Sequence, residues 1–353
     1  MELRQLRYFV AIVDHGSLSR AALVLHVAQP ALTAQLRQLE DELGAKLLHR
    51  SARGVLSTDA GKVFYQHAQA ILKQVADARS AVTQSTTRPS GSVTLGLPHS
   101  ISGALALPLL MAVRAQYPEI TLQLTEELSG NLAEQLKSGR INLAVLFDDG
   151  QLHGFASTAL VEEALMFICR SDSVHASAGA RAGAGAVGAN AGARANADVG
   201  ANAGARANAD AGARANADAD AGTPITLAAA LAAPLILPAQ PQGVRPLIEQ
   251  VARAAGLALA NVVEINSIAI LRSALLADMG ATILPVAPLL ADVAGGALLA
   301  RPIEAPAIFR SVILCASKNI PLTNAAGAVS RLVQQVTRTL CDDGGWAGAR
   351  QPQ

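Results

Sequence analysis

Apolar residues in the first quarter of the chain recur with helical spacing. Leu3, Leu6, Phe9, Val10 and Val13 form one stripe that breaks at His15-Gly16, predicting a first helix that ends there. Ser17 can cap a short second helix holding Ala21, Ala22 and Leu25, and His26-Val27-Ala28 leaves room only for a tight turn. Gln29-Pro30 opens a third helix, with proline in the first turn where its missing N–H is harmless. Leu32, Leu36, Leu39 and Leu43 line one side of it, and Gly44 stops it. The opposite side shows Thr33, Gln35, Arg37 and Gln38. A helix that is apolar behind and polar in front, following a tight turn, reads as helix-turn-helix.

In LLHRSARGVLST, short apolar runs flank Arg50, Arg53 and Gly54, the pattern of a small β-hairpin with a basic tip, or wing. Ser57-Thr58-Asp59 then starts a long helix over about 59–85. Within it Phe64, Ala68, Ile71, Val75, Ala78 and Val82 alternate spacings of 4 and 3, the heptad seam of a coiled coil. That seam predicts a dimer; the alternative is a helix lying on its own domain.

After the polar stretch TQSTTRPSG (83–91) the pattern changes to alternating strand and helix. Strands are expected at Val93–Leu97, Ile120–Thr125, Leu143–Phe147, Leu165–Cys169, Leu235–Leu237, Val262–Ile265, Ala281–Leu284 and Val312–Cys315. Helices are expected over 103–116, 131–138, 244–255, 267–277 and 323–340. Continuous apolar strands between helices predict a parallel sheet covered on both faces. Residues 176–222 break the pattern: ANAGARANAD occurs twice, followed by AGARANAD. This tandem insert has no aromatic residue and four Arg against four Asp, so little apolar surface offsets the entropy of ordering, and disorder is expected. The organisation is therefore 1–58 as a winged helix-turn-helix domain, 59–91 as linker helix and hinge, 92–340 as an α/β domain interrupted by the insert, and 341–353 as a tail.

Composition narrows the function. Three well-separated cysteines, Cys169, Cys315 and Cys341, offer neither a disulfide framework nor a zinc site, which fits a reducing cytoplasm. The start, MELRQLRYFV, lacks the basic and apolar regions of a signal peptide. The apolar stretch Ile225–Ala239 is too short and too proline-broken to span a bilayer, so no membrane partner is expected. Residues 1–88 carry 11 Lys/Arg against 7 Asp/Glu, whereas the remainder carries 17 against 20. The basic end is the candidate for a polyanion. Gly183, Gly185 and Gly188 match GxGxxG formally but follow no strand, and there is no GxxxxGK[ST], HExxH or GxSxG. No catalytic signal, metal site or cofactor emerges, and the chain is not read as an enzyme.

The segment GSLSRAALVLHVAQPALTAQLRQLEDELGAKLLHRSARGVLSTDAG (16–61) closely resembles the winged helix-turn-helix of LysR-type transcriptional regulators. GSLSRAA, HVAQPALT, QLRQLEDELG, LLHR, and RG followed by TDAG stand in that family's order and spacing. The resemblance implies an α+β protein overall: a winged helix-turn-helix, a long coiled-coil linker helix and a C-terminal effector domain like periplasmic binding proteins, in two subdomains. It implies major-groove entry by the third helix and backbone or minor-groove contact by the wing. By position that points to Gln29, Pro30, Thr33, Gln35 and Arg37, with Arg50 and Arg53 near the wing. Glutamine can pair with adenine, and arginine supplies phosphate contacts or guanine readout. Ala34 departs from the longer polar residue common in the family, and Ser57 from an apolar wing residue.

In open α/β sheets, ligands settle beyond the carboxyl ends of strands, where helix N-termini offer free N–H groups. Those positions here are Ser100 and Ser102 after the first strand, Ser129-Gly130 after the second, Gln242 to Arg245 at a later helix start, and Asn266 at the return crossover. The family resemblance implies a small, often anionic effector there. The expected partners are double-stranded operator DNA, that effector, a homodimeric or homotetrameric assembly and, for an activator, RNA polymerase. The rival is a small-molecule sensor whose N-terminal helices serve oligomerisation only.

Overall fold

The computed structural model describes residues 1–51, 54–83, 88–148, 150, 152–176, 222–239, 243–259 and 261–352. The chain forms two compact units, Met1–Val161 with Ser311–Thr339, and Glu162–Arg310 with Leu340–Gln351.

The first unit opens with three helices, α1 (Leu3–His15), α2 (Leu18–Val24) and α3 (Gln29–Leu43). Glu2 and Gln5 cap α1 reciprocally, and Gly16 ends it at φ 59°, a left-handed conformation that suits glycine. The Ser17 hydroxyl accepts from the Arg20 amide to start α2. Between α2 and α3 the chain turns through His26 at φ 54°. Leu6, Phe9, Ile12, Ala21, Ala22, Leu32, Leu36 and Leu39 close one core, to which the hairpin strands β1 (Leu48–Ser51) and β2 (Gly54–Ser57) add Leu48. Gly54 matters here: a Cβ would lie 2.8 Å from the Gly16 carbonyl oxygen, which accepts from the Val55 amide.

Helix α4 (Asp59–Thr83) follows. The Thr58 hydroxyl accepts from the Gly61 amide and donates to the Lys46 carbonyl, capping the helix and tying it to the segment before the wing. A Cβ on Gly61 would lie 2.0 Å from the Leu47 carbonyl oxygen, so the TDAG sequence places its glycine where the backbones meet. The expected seam is divided. Ala68 is buried in the N-terminal core and Phe64 packs on it, with the Phe64 ring edge-on to Phe9 at 5.1 Å. Farther along, Ile71 and Val82 are exposed.

The α/β part of this unit runs β3 (Gly91–Pro98), α5 (His99–Gln116), β4 (Ile120–Glu127), α6 (Ser129–Lys137) and β5 (Leu143–Phe147), after which β6 (Phe155–Ala164) leads out. β3 pairs in parallel with β4 and β5; Val93, Leu95 and Leu97, which share one face, are fully buried, while Thr94 on the other face is half-buried.

In the second unit, β7 (Met166–Arg170) precedes the insert; α7 (Leu227–Ala232), β8 (Leu235–Leu237), α8 (Arg245–Ala254), β9 (Val262–Glu264), α9 (Ile268–Leu276), β10 (Thr282–Leu284), α10 (Leu290–Ala294) and β11 (Leu298–Pro302) follow it. β8 and β9 are parallel, but β7 lies antiparallel between β10 and β11. β12 (Phe309–Ser317) brings the chain back to the first unit, pairing antiparallel with β5, and α11 (Asn324–Asp342) follows; β13 (Ala349–Arg350) belongs to the second unit and pairs antiparallel with the end of β6. The expected all-parallel sheet is thus mixed. A strand that returns from another unit enters the sheet without a βαβ crossover, so nothing enforces parallel direction.

Two features of the second unit lie outside any local pattern. The Arg301 guanidinium, 1% exposed, donates to the carbonyls of Ala176, Thr223 and Pro224, the residues flanking the insert. Of the insert expected to be disordered, 176–222, the end residues Ala176 and Gly222 are bonded to Arg301 and Ala300, and 177–221 lie outside the described residues. The segment read as a tail packs into the core: Trp346 is buried and its indole N–H donates to Glu163 Oε1, while Arg310 donates to Glu163 Oε2 from Nε and Nη2.

Candidate DNA-binding face and effector site

The face of α3 opposite its buried leucines carries exposed Gln29, Pro30, Ala34, Arg37 and Gln38. Thr33 and Gln35 sit on its two flanks, half-buried. The Gln29 side-chain oxygen accepts from the Ser19 hydroxyl at 3.0 Å, so α2 steadies the first residue of α3. Gln35 Nε2 donates to Gln38 Oε1, while Gln35 Oε1 is buried without a partner. Ala34 lies mid-face, so the position where the family carries a longer polar residue is a shallow step. Arg50 belongs to β1, opposite Val55, and Arg53 lies outside the described residues.

Glu40, on the buried side of α3, fixes the wing. Its carboxylate accepts from Lys46 Nζ at 2.8 Å and from the amides of Leu47 and Leu48 at 3.0 and 3.3 Å. Burial disfavours its charge, but the lysine and the two amides outweigh that and hold its pKa below the ordinary value. Periodicity missed this residue because a glutamate beside Leu39 looks like the start of the solvent face.

At the carboxyl ends of β3 and β4 the structure brings two of the expected loops together. Ser100 and Ser102 lie in the first turn of α5, and Ser129 and Gly130 begin α6. Glu126, which sequence reasoning did not single out, stands among them: its Oε1 accepts from the Ser102 hydroxyl at 2.5 Å and lies 3.2 Å from His99 Nδ1. On the other face of β4, Glu127 accepts from the Asn131 and Gln135 side chains. In the second unit Arg245 begins α8 and pairs with Glu249 at 2.6 Å, and Asn266 Oδ1 accepts from the Ala239 amide. Gln242 lies outside the described residues.

Burial pushes the Cys169 thiol up to about 11 and the Cys315 thiol to about 12, which suppresses the reactive thiolate at both. Among the described residues no group of three His, Cys, Asp or Glu is placed to hold a metal, and no helix is long and apolar enough to cross a membrane.

The profile of bacterial regulatory helix-turn-helix proteins of the lysR family matches residues 3–62, and that of the LysR substrate binding domain matches 86–182 and 211–338. The chain belongs to the LysR family. Among LysR relatives, the nitrogen assimilation regulatory protein nac of Escherichia coli is 44% identical over 173 residues, which span 49% of this chain and 57% of that protein. The aligned stretch thus covers little more than half of that relative. The HTH-type transcriptional regulator BbuR of Bordetella bronchiseptica is 27% identical over 343 residues, 97% of this chain and 92% of that protein. Solved LysR structures share the fold: a full-length OxyR variant from Pseudomonas aeruginosa has a TM-score of 0.61 at 21% identity, covering 96% of this chain and 98% of its own. CbnR, a LysR family transcriptional regulator, has a TM-score of 0.59 at 22% identity, covering 96% and 99%.

Proposed function

We propose that this LysR-family chain is a transcriptional regulator that binds operator DNA as an oligomer through α3 and the β1–β2 wing and responds to a small-molecule effector in its α/β part. It works in the cytoplasm and catalyses no reaction. The observation that carries the reading is the division of α3, with Leu32, Leu36 and Leu39 sealed behind and Gln29, Pro30, Arg37 and Gln38 exposed in front. Such a face fits a major groove, where glutamine reads base edges and arginine meets phosphate or guanine. Oligomerisation is supported by exposed apolar side chains on two helices, Ile71 and Val82 on α4 and Leu107, Leu110 and Met111 on α5. Ser100 and Ser129, at two adjacent helix N-termini, are the proposed first contacts of the effector. Because Ser102 and His99 already engage Glu126, the effector meets a carboxylate there as well as helix amides.

The test is binding to an operator selected from a random-sequence pool. Affinity is expected to fall steeply with salt, since each neutralised phosphate releases counterions. Arg53→Ala should weaken binding to all sequences alike, and Gln29→Ala should change the preference among them. Absence of salt-dependent binding would leave the chain a small-molecule sensor whose N-terminal helices serve assembly.

A further inference from the structure

Within the first unit, the linker helix α4 does more than lead from one domain to the next. Gln74 Nε2 donates to the Gly139 carbonyl, and Asp77 Oδ2 accepts from Asn142 Nδ2 at 2.9 Å while pairing with Lys73 at 2.7 Å. Asn142 in turn accepts from the Thr94 amide, so a continuous polar chain joins α4 to strand β3 of the α/β part. Asn142 is 9% exposed, and the Lys73 and Asp77 side chains 17% and 14%, so this is a built joint rather than a passing surface contact.

Beside the joint lies a cavity of about 560 Å³, walled on one side by Gln69 and Leu72 of α4 and on the other by Thr94, Gln123, Thr125 and Arg140. A cavity of this size holds a small metabolite. Its charges are unequally matched. Lys73 is paired with Asp77, and Glu127, also in the lining, accepts from Asn131 and Gln135, whose neutral amides leave its charge in place. Arg140 spends only Nε, on the Ser138 hydroxyl at 3.2 Å, and among the described residues it meets no carboxylate. A guanidinium with no carboxylate partner, in a cavity whose other charges are the Lys73–Asp77 pair and the amide-bound Glu127, takes a planar or tetrahedral oxyanion with further hydrogen-bonding groups.

We propose that this cavity is a second small-molecule site, separate from the Ser100–Ser129 region, for a compact polar metabolite bearing a carboxylate or phosphate, and that its occupancy fastens α4 to the α/β part. A ligand that touches both walls binds the docked arrangement better than an undocked one, and that difference alone shifts the population. The orientation of the DNA-binding helices thereby becomes responsive to a second signal.

The experiment uses the full chain, with succinate, citrate and inorganic phosphate as probes and sodium chloride holding ionic strength constant. At least one probe should raise the melting temperature and slow amide exchange over residues 69–77. Preference for the carboxylates or for phosphate identifies the oxyanion. Arg140→Gln should weaken that binding about tenfold or more, in proportion to a lost charge-assisted contact, while Ser100→Ala and Ser129→Ala leave it intact. If no probe binds, or if the effect survives Arg140→Gln but is lost in the serine variants, the inference is overturned. The second result would assign the binding to the effector region and leave the regulator reading standing.

Discussion

Glu40 in the N-terminal domain and Glu163 in the second unit are both buried carboxylates with full sets of donors, but they find their partners at very different distances along the chain. Glu40 takes Lys46, Leu47 and Leu48, six to eight residues away. Glu163 takes Arg310 and Trp346, 147 and 183 residues away. The first network can form as soon as α3 and the wing exist, and the Lys46 ammonium stays in water at 68% exposure. The second forms only when β6, β12 and the C-terminal segment have all arrived, and it seals both charges, at 5% and 1% exposure. Local networks position a working surface; remote ones certify that the chain has assembled.

The sharpest way to break that comparison is to remove one partner of the sealed pair. Arg310→Met should destabilise the second unit by about 3–5 kcal/mol, because the Glu163 charge would remain buried without its counterion. Replacing both residues by apolar ones should recover most of the loss. Urea unfolding followed through Trp346, the only tryptophan in the chain, measures both. A loss under about 1 kcal/mol for Arg310→Met would show that the site is hydrated and not sealed.

Glu40→Gln should have a smaller effect, about 1–3 kcal/mol, confined to the winged domain. It should also change the pH profile. The native pKa of Glu40 is lowered, so the unfolded chain binds the proton more readily. The contribution is present above the unfolded carboxylate value and disappears as pH falls through the lowered native one. Acid titration of the winged domain's stability should show that loss in the wild type and not in the glutamine variant.

The smallest effect is expected at the insert. Joining Ala176 to Gly222 through a short Gly-Ser linker keeps the Arg301 bonds to Ala176, Thr223 and Pro224 and should change stability by no more than about 1 kcal/mol, since loop length enters only logarithmically. Joining His175 to Thr223 removes the Ala176 carbonyl and the Gly222 amide that donates to Ala300, and should be the less stable of the two deletions. Thermal unfolding of the pair separates them.

The same contrast explains what could be read in advance. Leu32, Leu36 and Leu39 of the α3 stripe, its glycine stop and the Leu143–Phe147 strand follow from local spacing and stand at those positions, whereas Leu43, the last of the expected stripe, is exposed because it lies in the final turn beyond the core. β6 escaped because its first half is exposed and its second half carries Glu162 and Glu163, whose burial depends on residues far away. The packed tail escaped for the same reason: one tryptophan among Gly, Asp and Ala has no periodicity to report. At the site, the outward face of α3 was legible, although Gln35 lies on its flank. The neighbourhood of Ser102 was not, because Glu126 arrives from the adjacent strand, 24 residues on.

The Arg301 collar makes one place in this protein a natural socket. Both ends of the intervening chain are gripped by a single side chain, and the Gly222 amide is further tied to Ala300. Whatever is threaded between Ala176 and Gly222 therefore begins and ends at fixed points, and its own folding need not propagate into the strands around it. A fluorescent reporter domain grafted there would ride on the second unit without competing for its core, turning this LysR-family chain into an optical indicator of the proposed effector.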